Sequence, residues 1–153
     1  MDLETFRRGL HEWLDDHAGE LKPTGANPSL DQHMAQLAKV KRLGFDAGWM
    51  RWGWPERVGG LGGPPVLRAY LGEALMMRAL VEPGGYSMTE VLAPTMIDFA
   101  PPDLAAEMVP RLLRGDEIWC QGFSEPGTGS NLAGLTCRAT PTADGWRVTG
   151  QKV

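Results

Sequence analysis

Cysteine and histidine are scarce in this sequence. Only two cysteines occur in 153 residues, Cys120 and Cys137. A short secreted scaffold stapled by disulfides carries about four or more. Neither cysteine belongs to a CxxC pair, so a zinc site has no support and no metal is expected. The plain reading is two reduced thiols in a cytoplasmic protein. The three histidines, His11, His17 and His33, are not spaced as ligands on one helical face. They read as surface or half-buried polar residues. Positive charge is also in short supply. Fifteen Lys and Arg against nineteen Asp and Glu leave a formal net charge of −4. Phosphate backbones need a basic face, so a nucleic-acid partner is not expected. No apolar run reaches the roughly 18 residues of a membrane-crossing helix. The acidic start Met1-Asp2-Leu3-Glu4 is unlike the basic opening of a signal peptide.

What the chain does have is 42% hydrophobic residues, enough for a core, with 20 glycines, 12 prolines and six tryptophans. Leu3, Phe6, Leu10, Trp13, Leu14 and His17 repeat with helical spacing, which predicts an amphipathic helix from about Leu3 to Glu20. Lys22 to Pro28 reads as a loop by its Pro, Gly and Asn. Ser29 suits the N-cap of a second helix with Leu30, Met34 and Leu37 on one side, ended by Gly44. Phe45 to Gly63 has no helical period and reads as an irregular aromatic loop. Pro64 and Pro65 open a third helix, deeply buried, with Val66, Tyr70, Ala74 and Met77 in one stripe and Leu67, Leu71 and Leu75 beside it. Glu82-Pro83-Gly84-Gly85 reads as a break. A fourth helix then runs from Ser87 to Phe99 with Pro94 inside it. A fifth opens at Pro101-Pro102-Asp103, turns Leu104, Met108 and Leu112 inward and stops at Gly115. The methionines Met76, Met77, Met88 and Met96 read as core filling, and the tryptophans Trp49, Trp52 and Trp54 as loop packing.

The pattern changes near Glu117. Ile118 to Phe123 and Leu135 to Ala139 read as strands, and Asp144-Gly145 as a turn leading into Trp146-Arg147-Val148. Between them lies Ser124-Glu125-Pro126-Gly127-Thr128-Gly129-Ser130-Asn131. Gly127 and Gly129 let backbone approach a ligand closely, and Ser124, Thr128 and Ser130 can donate or accept. The loop is neither a G-x-G-x-x-G nor a P-loop sequence. On these residues alone it is either a tight turn or a cradle for a polar cofactor edge.

The longer stretch from Trp119 to Asn131 resembles a signature of the acyl-CoA dehydrogenase family, Trp-Cys-x-x-x-[Ser/Thr]-Glu-Pro-x-x-Gly-Ser-Asp. Asp144 to Lys152 resembles the family's D-G-x-x-[VI]-x-G-x-K run, and Trp54 to Gly62 its W-P-x-E-Y-G-G-x-G loop. Val91 to Thr95 and Pro110 to Glu117 match in order and spacing as well. Two swaps depart from the pattern: Asn131 stands at the usual aspartate and Val58 at the usual tyrosine.

The resemblance implies a mainly α fold: the N-terminal helical domain over 1–116, followed over 117–153 by the first strands of the middle β-domain, which the chain holds only in part. It implies a flavin-dependent oxidoreductase that binds FAD and dehydrogenates an acyl-CoA thioester to the 2-enoyl-CoA. Gln121, Phe123, Ser124, Gly129 and Ser130 match cofactor-contacting positions. Phe123 and Ser124 would lie along the isoalloxazine ring, and Ser130 would also contact the CoA ester. Glu125 matches a glutamate kept for structure. No residue matches the general base, which in most members lies further along. An electron-transferring flavoprotein and assembly into a homo-oligomer are implied partners. Alternatives are a flavin oxidase or monooxygenase of the same fold, and a fragment without catalysis. The isolated chain is expected to fold poorly and to bind FAD weakly.

Overall fold

The computed structural model describes all residues except Thr24, Ala26 and Asn27. The loop expected over 22–28 therefore lies partly outside the described residues. The chain divides into two compact units, Met1–Trp119 and Cys120–Val153.

The first unit is all helix and turn. Helix α1 spans Leu3–Asp16, α2 Ala18–Leu21, α3 Leu30–Asp46, α4 Val66–Met77, α5 Pro83–Phe99 and α6 Pro102–Arg114. The side chain of Asp2 caps α1 by accepting from the Thr5 amide at 2.9 Å. The amphipathic run expected to Glu20 is interrupted at His17, so α2 is a separate turn. Ser29 caps α3 in a reciprocal box with Gln32. Gly44 does not end α3. It sits inside the helix, where a Cβ would come within 3.0 Å of Met50 Cγ, and the chain turns in left-handed backbone at Gly48. Close packing, not termination, is what this glycine provides. Leu30, expected inward, is exposed, and the buried side of α3 is Leu37, Val40, Lys41 and Gly44.

The expected break at Pro83-Gly84-Gly85 is instead the first turn of α5. Proline fits there because the first amides of a helix have no partner to lose. In α4 the leucine row is the buried one. Leu67, Leu71 and Leu75 face in with Ala74, while Val66 and Met77 are exposed, so Met77 fills no core. Helix α6 buries Ala105, Val109, Leu112 and Leu113 rather than Leu104 and Met108, and Gly115 ends it at φ 80° as expected. Two apolar clusters result. Phe6, Leu10, Leu14, Leu37, Leu67, Leu71 and Tyr86 belong to one. Trp54, Val58, Ala93, Val109 and Leu113 belong to the other.

The 45–63 stretch is more ordered than its composition implies. Phe45 and Asp46 complete α3, and single 3₁₀ turns form at Trp49–Arg51 and Glu56–Val58. The chain then pairs with itself: the Gly53 amide donates to Gly62 O and the Leu61 amide to Arg51 O, both at 2.8 Å. A Cβ on Gly60 would lie 2.0 Å from Trp54 O, so only glycine closes this loop. Trp54 packs in the core with the Arg68 guanidinium 4.0 Å above its ring.

The helical unit seals a charge inside. Lys41 is 1% exposed, and its ammonium donates to Thr89 Oγ1 at 2.6 Å and Leu112 O at 2.9 Å. It thereby satisfies a carbonyl in the last turn of α6 and ties α3 to α5 and α6. Burial pushes this ammonium from its ordinary 10.5 down to about 8, and the Glu90 carboxylate pulls partly the other way. Burial likewise raises Glu90, which pairs with Arg68 at 3.2 Å.

The second unit holds one antiparallel hairpin, β1 Arg138–Thr142 and β2 Gly145–Thr149; its two-residue turn is Ala143-Asp144, one residue earlier than the expected Asp144-Gly145, because Gly145 already pairs with Thr142 as the first residue of β2. Ile118–Phe123 forms no strand. A strand exists only through its ladder, and no described strand runs beside this segment. The other expected strand starts later, at Arg138 rather than Leu135. Thr136 and Cys137 instead donate their amides to a carboxylate, that of Glu125.

The lysine gives the first prediction. Between pH about 8 and 10.5 the folded protein holds fewer protons at Lys41 than the unfolded chain, so its contribution to stability rises with pH across that window. Denaturant titrations at several pH values should show this rise in the wild type and not in Lys41→Met. Equal pH slopes in the two proteins would refute the placement of the charge.

Candidate functional site

The site is built around one carboxylate. Pro126 and Gly127 form a two-residue turn closed by Glu125 N donating to Thr128 O and Thr128 N to Glu125 O, both at 2.9 Å. The turn sends the Glu125 side chain inward, where the residue is 7% exposed. Oε2 accepts from the Thr136 amide at 2.7 Å and the Thr136 hydroxyl at 2.8 Å. Oε1 accepts from the Cys137 amide at 2.8 Å and Lys152 Nζ at 3.0 Å. Residues 136–137 are thus bound to a side chain just where a strand was expected to start. These bonds hold the carboxyl far below its ordinary 4.5, at about 2, the two backbone amides contributing most. Glu125 stays ionised, and so weak a base is unsuited to removing a carbon-bound proton. It is structural.

Lys152 also donates to Phe123 O at 3.0 Å, and the Val153 amide donates to Ser124 O at 3.0 Å. Residues 123–125 are therefore pinned along their length by 152–153. Thr128 Oγ1 donates to Gly134 O at 3.2 Å and folds the far end of the loop onto the 3₁₀ turn Leu132–Gly134. Lys152, Thr136 and Cys137 were not singled out as site residues. Their work is done by an ammonium, two backbone amides and a hydroxyl, and only the G-x-K run hinted at it.

The expected site residues lie together on this scaffold. Phe123 is 64% exposed, Gln121 and Ser124 are half-buried, and Gly129 and Ser130 are exposed. Among the described residues no hydrogen bond engages the side chains of Gln121, Ser124 or Ser130. A Cβ on Gly127 or Gly129 would meet nothing within 4 Å. An uncovered ring, free hydroxyls and two glycines with open space above them fit a flat, partly polar cofactor such as FAD. Among the described residues no group of three or more metal-ligating side chains occurs, and no helix is long and apolar enough to cross a membrane.

No family model matches the chain. Individual proteins do. The chain is 34% identical over 156 residues to the acyl-CoA dehydrogenase IpdE1 of Mycobacterium tuberculosis, a match that covers 99% of this chain and 40% of that protein. The ChsE4-ChsE5 complex from Mycobacterium tuberculosis has a chain that superposes with a TM-score of 0.67 at 25% identity, covering 97% of this chain and 37% of that one. The Tcur3481-Tcur3483 steroid ACAD gives a TM-score of 0.63 at 28% identity over 77% of this chain and 30% of that one. The helices and the hairpin are thus the N-terminal part of the acyl-CoA dehydrogenase fold. The chain matches the N-terminal portion of the acyl-CoA dehydrogenase family, and it spans well under half the length of the relatives named here.

Acid should dismantle the loop late. A carboxyl whose folded pKa is depressed contributes stability above its ordinary 4.5, and the contribution is lost as pH falls through about 2. The amide resonances of Thr136 and Cys137 should therefore keep their shifts down to about pH 3 and move only near pH 2. In Glu125→Gln these two amides should exchange faster with solvent already at neutral pH. Shifts that follow an ordinary carboxyl midpoint near 4.5 would refute the arrangement.

Proposed function

We propose that the chain is the N-terminal part of an FAD-dependent acyl-CoA dehydrogenase that converts an acyl-CoA thioester to its 2-enoyl-CoA. The observation that carries this reading is the Ser124–Ser130 loop, held from below by Glu125 and open above, in a chain matched over 99% of its length by a named acyl-CoA dehydrogenase. When bound, FAD supplies a two-electron acceptor for the hydride leaving the β-carbon. This chain's residues bind and orient. Phe123 offers an exposed aromatic edge to the isoalloxazine ring. Ser124 donates to the ring's polar edge, where negative charge builds on reduction. Gly129 permits close approach of backbone, Gln121 lines the cofactor side, and Ser130 reaches the CoA ester.

A CoA thioester bearing a ring system is the favoured substrate, because one structural neighbour is a steroid ACAD. An electron-transferring flavoprotein in the cytoplasm takes up the electrons. The enzyme is an oligomer, and the paired names of the ChsE4-ChsE5 neighbour favour a second kind of subunit over a homo-oligomer.

Two serine variants of the flavin-loaded enzyme test the reading. Ser130→Ala removes a bond that substrate and transition state share, so KM should rise about 2- to 10-fold with little change in kcat, from the ~0.5–1.5 kcal/mol of a neutral hydrogen bond. Ser124→Ala removes a donor to the reduced ring, so the flavin midpoint potential should fall and reductive turnover should slow. An unchanged potential in Ser124→Ala, with a lowered one in Ser130→Ala, would reverse the two assignments. Anaerobic reduction by acyl-CoA, followed by slow reaction with oxygen, separates a dehydrogenase from an oxidase of the same fold.

A further inference from the structure

We propose that Lys152 is a positioning residue for the flavin-facing edge, the clamp that fixes Phe123 and Ser124 in place; this rests on the FAD reading above. Lys152 comes late in the unit, yet its ammonium lies at the start of the loop. It bonds two groups at once, Phe123 O at 3.0 Å and Glu125 Oε1 at 3.0 Å. The two acceptors flank Ser124, the residue aimed at the cofactor. The ammonium therefore sets the path of the backbone through Ser124 from both sides.

The division of labour within the carboxylate supports a role distinct from folding the hairpin. Glu125 has three bonds to Thr136 and Cys137 that involve no lysine. Those bonds suffice to hold the carboxylate to the residues leading into β1. What Lys152 adds is the bond to Phe123 O, which Glu125 cannot make because both groups only accept. The stem of the lysine is fitted too: a Cβ on Gly122 would come within 3.1 Å of Lys152 Cγ, so glycine at 122 leaves room for the side chain to pass. A half-buried ammonium shared between a carboxylate and a carbonyl is directional, and losing it frees the carbonyl of the residue whose ring is uncovered.

The experiment compares wild type, Lys152→Met and Lys152→Arg in the full-length flavoprotein. It measures the FAD dissociation constant, the visible spectrum of bound flavin and the solvent exchange of the Thr136 and Cys137 amides. Lys152→Met should bind FAD about 10-fold more weakly, as expected for one charge-assisted bond. Its flavin spectrum should shift while the Thr136 and Cys137 amides keep their slow exchange with solvent. Lys152→Arg should restore most of the affinity. If those two amides lose that protection in Lys152→Met, the lysine merely holds the hairpin together and the proposal is overturned. The same holds if Lys152→Met binds FAD like the wild type with an unchanged spectrum. If the wild type itself takes up no FAD, it is the flavin reading that fails first, and the role of Lys152 falls with it.

Discussion

The carboxylate of Glu125 is the constraint from which the second unit is organised. It is ionised and shielded, and it gathers donors from three places in the sequence: 136, 137 and 152. A carboxylate removed from water needs hydrogen bonds to the lone pairs it offers. Here four donors supply them, and the result is a depressed pKa rather than a raised one. The consequence is geometric. A segment with no strand of its own is tied by these bonds to 136–137 and 152–153. The residues that would face a ligand need take no part in holding it.

The helical unit solves a related problem with the opposite charge. Lys41 is sealed between α3, α5 and α6, and its ammonium answers a helix-end carbonyl and a threonine hydroxyl. Here desolvation outweighs the nearby Glu90 carboxylate, so the charged form is disfavoured relative to water. Glu125 is stabilised in its charged form by its surroundings, and Lys41 is not. The difference lies in the partners. Glu125 meets two amides, a hydroxyl and an ammonium, whereas Lys41 meets one carbonyl and one hydroxyl, with no carboxylate in hydrogen-bond contact.

Much of the helical unit was legible in the sequence because period and capping act locally. The Ser29 cap, the Gly115 stop and the Phe6-Leu10-Leu14 face follow from neighbours a few residues away. The errors occurred where tertiary packing overrode a local signal. Gly44 looks like a terminator until Met50 is seen against it, and Gly72 is likewise required by the Tyr86 ring, which a Cβ would meet at 2.7 Å. In α4 two apolar stripes competed, and the sequence alone could not say that the leucine row wins. The Pro83-Gly84-Gly85 run reads as a break because its residues disfavour helix, yet a first turn tolerates them. In the second unit the loop residues were legible as a motif. The clamp was not, because its donors are two backbone amides with no side-chain signature, one ordinary threonine hydroxyl, and an ammonium 27 residues away from the carboxylate it reaches.

Glycine serves different ends along the chain, and the contrast bears on the site. Gly60 and Gly150 are required by the chain itself. A Cβ would strike Trp54 O at 2.0 Å in one case and Cys137 at 2.8 Å in the other, and Gly150 adopts φ 138°. Gly127 and Gly129 differ on both counts. Nothing within 4 Å would meet a Cβ at either, and neither has the positive φ that favours glycine. Glycine also carries an entropic cost on folding that a larger residue would lessen. Two such residues, beside unengaged hydroxyls at 124 and 130, lower stability with no compensation from the chain's own contacts. Gly19 and Gly84 are open in the same way, so what sets this loop apart is the company its two glycines keep: the exposed Phe123 ring and the unengaged side chains at 121, 124 and 130.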